Sequence, residues 1–388
     1  MGRASLLPSD RHMGFSSVES IGRLILLIIQ KFWRICSAAI LILILLYWAY
    51  GGLIMLILLL VTVFGIFYQY QDSLLYFPEQ PDSARVFVQG PNSVGLPSEN
   101  VSLKTSDGYT IVAYFIKQPP DRVGKACTVL YFHGNAGNIG HRLHNAQALY
   151  QHCGVNILLV EYRGYGKSEG SPSETGLRLD AEAGMNYLLH CQDIDRRKII
   201  LFGRSLGGSV AIDLASNSTY HDKIMALVVE NTFTSIPAMA QQMFPGAQYL
   251  PLFCFKNQFM SIVKIKSTKM PSLFLSGLMD QLIPPKMMTE LYQYSGTSIK
   301  HLEHFDNGTH NATWTCYGYY ESINRFIGTV INVKGLFNGK PTSLHTSWES
   351  PPYQANNSTN NTKYGNSTNG INSPMNSPGR SLADVWNV

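Results

Sequence analysis

Along the first seventy residues of the chain the charged positions thin out and then stop. No Asp, Glu, Lys or Arg occurs between Arg34 and Asp72, and the run CSAAILILILLYWAYGGLIMLILLLVTVFGIFY fills most of that gap. A stretch so long and apolar is expected to cross a membrane. From Ser102 onward the pattern changes to short apolar runs alternating with helical stretches. The strand candidates are TIVAYFI, TVLYFHG, NILLVEYRG, KIILFGRS, ALVVENT, SLFLSG and SIKHLEHF. Most are β-branched, unbroken in apolar character and closed by Gly, Asn or Asp, as strands buried on both faces of a parallel sheet are. Helical stretches at 142–152, 173–191 and 205–216 lie between them. The alternation predicts a doubly wound α/β sheet whose ligands bind beyond the strand C-termini.

The pattern divides the chain into a basic, cytosolic N-terminal segment 1–35, a membrane helix 36–68, a linker 69–100, an α/β domain 101–334 and a tail 335–388. The tail is rich in Asn, Ser, Thr and Pro with too few apolar residues for a core, so disorder is expected there. Residues 232–269 are too long for one plain crossover helix and rich in Met, Phe, Tyr and Pro. They suit either a peripheral helix pair or a small cap walling an apolar pocket, and the cap is the expectation carried forward.

The membrane run raises a question of length. One helix over 36–68 would be roughly 50 Å long, against a hydrocarbon core of about 30 Å. Two helices turning at Gly51-Gly52 would have only about 15 residues each, below the ~20 needed to cross. A single tilted span is therefore expected. Arg3, Arg11, Arg23, Lys31 and Arg34 precede it, whereas Asp72, Glu79 and Asp82 follow with only Arg85. The positive-inside rule then gives a type II arrangement, with the large domain lumenal or extracellular. A re-entrant hairpin would keep that domain cytosolic. The run is too long for a secretory signal peptide, and MGRASL lacks the Ser or Thr of a myristoylation site at Leu6.

The formal net charge of +5 is spread along the chain, with no basic stripe interleaved with aromatics, so no nucleic-acid partner is expected. Six cysteines show no metal-ligand spacing, and His141, His144 and His152 have no acidic or cysteine partner at such spacing. No metal or cofactor is implied. One or two disulfides remain open. Sequons at Asn217, Asn307 and Asn311 are glycosylation candidates for a lumenal domain, with others at Asn100, Asn356, Asn360 and Asn366.

The chemistry-bearing motif is KIILFGRSLGGSVAIDLAS. A buried strand breaks into glycines and resumes as a small-residue helix, with Ser205 at the corner between Gly203 and Gly207. A tight βα turn would explain the glycines alone; a nucleophile elbow also explains the serine, provided its partners follow in the order acid, then histidine. SLFLSG runs into LMDQLIPP, placing Asp280 just past a strand, and SIKHLEHF is followed by DNGTHNATW, which holds His310. His304 competes but lies within the strand. An oxyanion formed at Ser205 needs two backbone donors, expected at Leu206 and Asn135, the latter in the loop of YFHGNAGN. His133 in that loop is expected to brace it. In EYRGYGKSEG, Glu161 occupies the first-glycine position of a phosphate loop, and the glycines are assigned to a turn.

Together HGNAGN, EYRGYGKSEG, GRSLGG, the Asp280 loop and GTHNATW resemble the membrane-anchored serine hydrolases of the α/β-hydrolase superfamily, in the group of fungal and plant polarity proteins of the wavy-growth type. The resemblance covers roughly residues 20–335. It implies Ser205 as nucleophile, Asp280 as acid, His310 as base and a single-pass type II anchor. The expected activity is cleavage of acyl esters or thioesters, lipids or acylated proteins, at a lipid bilayer. The alternative is a catalytically idle hydrolase fold acting as a scaffold or polarity factor at the membrane.

Overall fold

The computed structural model describes residues 17–335. Apart from Gly335, the tail expected over 335–388 lies outside the described residues, as do Arg3, Arg11 and the sequons at Asn356, Asn360 and Asn366.

Among the described residues eight strands form one sheet: β1 (Ser98–Lys104), β2 (Thr110–Ile116), β3 (Thr128–Phe132), β4 (Asn156–Val160), β5 (Ile199–Arg204), β6 (Ala226–Glu230), β7 (Ser272–Gly277) and β8 (Lys300–Phe305). Their spatial order is β1-β2-β4-β3-β5-β6-β7-β8. β2 runs antiparallel to both neighbours and the rest are parallel. The unbroken apolar runs have a simple cause. Leu130 and Phe132 of β3 point into a core beneath the helices Glu174–His190 and Leu206–Ser216, while Val129 and Tyr131 point into a second core beneath Leu143–Cys153 and Tyr319–Val333. With helices on both faces, neither side of the strand can be polar. The first strand, SENVSLK, escaped the sequence reading because only alternate residues of this edge strand are buried.

All five parallel strands from β3 to β8 other than β4 deliver a loop of interest to the same edge of the sheet: His133, Ser205, Asn231, Asp280 and His310 follow their C-terminal ends. The cap region contributes the helix Ile236–Met243, the turns Pro245–Tyr249 and Leu252–Cys254, and the short helix Ser261–Lys264.

The expected single helix over 36–68 is corrected. The chain forms two helices, Ser17–Tyr50 and Gly52–Leu75, separated at Gly51 with φ +84°. The first bends at Phe32, and the portions long and apolar enough to cross a membrane are Gln30–Tyr50, 21 residues, and Gly52–Leu75, 24 residues. Phe32 packs on Tyr70 with ring centroids 4.1 Å apart, so the helices run antiparallel from Gly51. Ending the arms at Cys36 and Tyr68 made each too short. Lys31 and Tyr70 belong to the arms, because a long basic side chain or a tyrosine can keep its body in apolar surroundings and carry its polar tip out to the surface. A chain that returns in this way also removes the basis for a single crossing with the large domain on the far side.

Of residues 69–100, expected as a linker, 69–75 end the second helix, 98–100 begin β1, and 76–97 between them pack as a strap. Tyr76, Ala84 and Leu96 are buried, Phe77 bridges to Ala136, and Asn138 Nδ2 donates to the carbonyls of Ala84 and Phe87 at 2.8 and 2.9 Å. All six cysteines, which lie within the described residues, are free thiols.

Candidate active site

The site starts from a strained corner. Ser205 sits between β5 and the helix Leu206–Ser216 at φ +56°, ψ −122°, a backbone region that costs a non-glycine residue about 1–3 kcal/mol. Three hydrogen bonds hold it there. The Ser205 N–H donates to the Glu230 carbonyl at 3.0 Å, and its own carbonyl accepts from Gly208 N–H at 2.9 Å and Thr232 Oγ1 at 2.7 Å. The corner fits only because its neighbours lack side chains: a Cβ on Gly203 would lie 2.1 Å from the Gly207 oxygen, and one on Gly207 would lie 2.1 Å from the Phe132 oxygen.

The acid and the histidine meet the serine from two other loops. His310 Nε2 lies 3.1 Å from Ser205 Oγ, and His310 Nδ1 lies 2.8 Å from Asp280 Oδ2. The other carboxylate oxygen, Oδ1, accepts the N–H groups of Leu282 and Ile283, both at 2.9 Å. One oxygen of Asp280 thus ties down its loop while the other faces the imidazole. Only 1% of the Asp280 side chain and 13% of the His310 side chain is exposed. His304 is exposed on β8, apart from this group. Hydroxyl, imidazole and carboxylate in line can pass a proton from serine to histidine while the carboxylate holds the ring's orientation.

Beneath the corner, Glu230 is fully buried and accepts a 2.7 Å hydrogen bond from Tyr319 Oη. Burial pushes its carboxyl pKa upward despite the nearby Arg204. Arg204 reaches Asn311, with Nη2 donating to Oδ1 at 2.8 Å, so the Asn311 amide is engaged in fixing the histidine loop. Asn217 accepts from Thr219 N–H through its side chain, and Asn307 is exposed.

Asn231 went unnoticed in the sequence, where VVENT read only as a strand closing in polar residues. It is buried at φ +44°, a conformation Asn tolerates better than most residues. Its Nδ2 donates to the carbonyls of Thr309 and His310 and to Thr313 Oγ1, and its Oδ1 accepts from Gly277 N–H at 2.8 Å. One amide therefore ties the end of the acid's strand to the histidine's loop. For Asn231→Ala the expected outcome is a folded protein with kcat/KM lowered by about 100-fold, since small misplacements of a reacting group cost that much. Steady-state kinetics with a thermal melt on the same sample would show it, and unchanged kinetics would refute it.

The loop after β3 crosses over the serine, with Gly134 placed so that a Cβ would sit 3.7 Å from Ser205 Cβ. Among the described residues neither the Asn135 nor the Leu206 backbone N–H has a hydrogen-bond acceptor, which leaves both available to an oxyanion. The carbonyl and side-chain NH₂ of Asn135 are both engaged. Its carbonyl accepts from Phe77 N–H at 3.0 Å and Tyr165 Oη at 2.8 Å, and its Nδ2 donates to the Leu75 carbonyl at 3.0 Å. His133 is buried with Nδ1 2.7 Å from the Gly134 oxygen and its ring against Tyr162, and so braces the loop. A cavity of about 120 Å³ bordered by Glu174, Arg178, Asp213, Lys256 and Lys264 lies elsewhere and includes none of Ser205, Asp280 or His310. Among the described residues no cluster of His, Cys, Asp or Glu has the makings of a metal site.

The family described as alpha/beta hydrolase fold matches residues 128–250. The chain is 38% identical over 281 residues to Protein bem46 of Schizosaccharomyces pombe, covering 72% of this chain and 92% of that one. It is 36% identical to alpha/beta hydrolase domain-containing protein WAV2 of Arabidopsis thaliana, over 73% of this chain and 93% of the other. Uncharacterized membrane protein YNL320W of Saccharomyces cerevisiae is 37% identical, over 71% and 94%. Among solved structures, the esterase Pf2001 of Pyrococcus furiosus superposes with a TM-score of 0.51 at 21% identity, covering 63% of this chain and 97% of that one.

Proposed function

The chain belongs to the α/β-hydrolase domain-containing family of bem46, WAV2 and YNL320W, and from that premise we propose that it is a serine hydrolase of acyl esters or thioesters at a membrane. The observation that carries the reading is His310, within hydrogen-bond distance of both Ser205 Oγ and Asp280 Oδ2. Ser205 Oγ attacks the acyl carbonyl while His310 takes its proton, and Asp280 stabilises the imidazolium. The Asn135 and Leu206 amides receive the oxyanion, and His310 then protonates the leaving alcohol or thiol. Water, activated by the same imidazole, releases the acid. The test is fluorophosphonate labelling of membranes carrying the full chain. A labelled band at the size of the chain is expected; a folded protein that does not label would leave only the scaffold reading.

The antiparallel helix pair supports a hairpin anchor, and the basic residues before it support a cytosolic N-terminus. The hydrolase domain then lies on the cytosolic face as well, within reach of palmitoyl-cysteines and of lysolipids in that leaflet. Its sequons would stay unmodified. In sealed microsomes, tags before Ser17 and after the hydrolase domain should be digested together by added protease. Protection of the domain alone, or a mass shift on glycosidase treatment, would restore the type II arrangement.

A further inference from the structure

The turn segment Tyr249–Phe253 of the cap carries large apolar side chains outward: Tyr249 is 80% exposed, Leu250 42%, Leu252 53% and Phe253 71%. We propose that this segment is embedded in the hydrocarbon of the leaflet from which the helix Gly52–Leu75 emerges, so that the cap takes acyl chains laterally from the bilayer. The inference rests on the membrane reading of that helix and extends it to the cap.

The depth of the segment follows from its contacts. Phe253 meets Phe64 edge to face, with ring centroids 6.5 Å apart. Phe64 precedes Asp72 by two helical turns, which places it about 12 Å deeper along the helix axis. At the shallow end the same two elements are joined by polar groups. Lys256 Nζ pairs with Asp72 Oδ2 at 2.5 Å, Asn257 Nδ2 donates to Asp72 Oδ1 at 2.6 Å, and Gln71 Nε2 donates to the Cys254 carbonyl at 2.6 Å. Lys256 N–H closes the set on Gln71 Oε1 at 2.8 Å. Cap and helix therefore share one gradient, ionic at Asp72 and Lys256 and apolar at Phe64 and Phe253. If Phe64 is in lipid, Phe253 at its side is in lipid too. Tyr249 suits a boundary position, with a ring for the acyl region and a hydroxyl for the headgroups. The cap in turn leaves β6 at Thr232, whose hydroxyl holds the Ser205 carbonyl, so the embedded turn and the serine are parts of one loop system.

The test is photo-crosslinking of the full chain in phosphatidylcholine vesicles doped with an alkyne-tagged phosphatidylcholine. Benzoylphenylalanine is placed in turn at Phe253, at Phe64 and at Val333, the last beside Lys334, which bonds the Ile224 carbonyl at the far end of the sheet. Lipid adducts are expected at 253 and 64 and not at 333. An adduct at 64 without one at 253 overturns the proposal, as does a protein–protein adduct at 253 in place of the lipid. Absence at both 64 and 253 overturns the membrane reading beneath it, without touching the serine chemistry. As a second arm, Leu252→Asp with Phe253→Asp should retain fluorophosphonate labelling while hydrolysis of a long-chain ester in vesicles falls at least about tenfold, as expected when apolar membrane contacts are lost. Equal loss on a short soluble ester would show that the cap merely packs the site and would also overturn the proposal.

Discussion

Ser205→Ala should abolish hydrolysis, with kcat falling at least about 10⁴-fold, while the protein still folds. Alanine meets the same steric cost as serine at φ +56°, and the hydrogen bonds that hold the corner all belong to the backbone of residue 205. The substitution removes only the oxygen next to His310 Nε2. His310→Ala should cost about as much, and the double variant little more, because the two groups act as one unit. Asp280→Asn is the more telling variant. Its amide oxygen would stay with the Leu282 and Ile283 N–H groups and turn the NH₂ toward His310 Nδ1. The imidazole would then carry its proton on Nε2, facing Ser205, where it cannot accept another, and a loss near 10⁴-fold is expected, about that of the corresponding change in a related triad. Active-site titration beside turnover would separate these cases from misfolding; near-normal turnover by Ser205→Ala would end the serine-hydrolase reading.

Gly207→Ala should rank with the most damaging added methyls among the described residues. The added Cβ would stand 2.1 Å from the Phe132 oxygen and 2.6 Å from the His133 oxygen, and both obstacles are backbone. No rotamer relieves such a contact, so the helix Leu206–Ser216 must part from β3. The expected cost is about 3 kcal/mol or more, which for a domain of this size lowers Tm by roughly 10 °C. The displaced loop also carries Asn135, so activity should fall further than stability alone explains. Gly246→Ala is the matched control, with no atom within 4 Å of its Cβ position, and it should change stability by less than about 0.5 kcal/mol. A melting curve for Gly207→Ala that overlays the control would contradict the steric account.

How much of this was legible in the sequence depends on whether the information is local. The strands from β2 to β7 announced themselves because burial leaves little room for polar residues, whereas β8, a half-buried edge strand of mixed polarity, stood out only by its place in the alternation. Ser205, Asp280 and His310 could be placed at strand ends because each strand terminates in a recognisable turn, and the structure brings their side chains together. Asn231 could not be read, since its value lies in four partners distant in sequence, Gly277, Thr309, His310 and Thr313. The helix pair was missed for a different reason. Ending the apolar run at Cys36 and Tyr68 ignored that polar-tipped side chains at helix ends can reach the surface while their stems stay in apolar surroundings, which shortened both arms. The strap over 76–97 was also hidden, because its buried residues touch loops rather than one face of a regular element.

On the proposed reading of a membrane-anchored hydrolase, the bond from Asn135 to the Leu75 carbonyl, with Phe77 bonded beside it, bears on release of the domain from its anchor. A protease that cut between Leu75 and Phe77 would not shed an active soluble hydrolase. It would sever the edge against which the oxyanion loop is set, and the released fragment would keep its serine, histidine and acid with a slackened loop above them. If the proposed activity and anchor hold, shedding would act as inactivation, and hydrolysis would be tied to the plane of the bilayer for as long as the chain is intact.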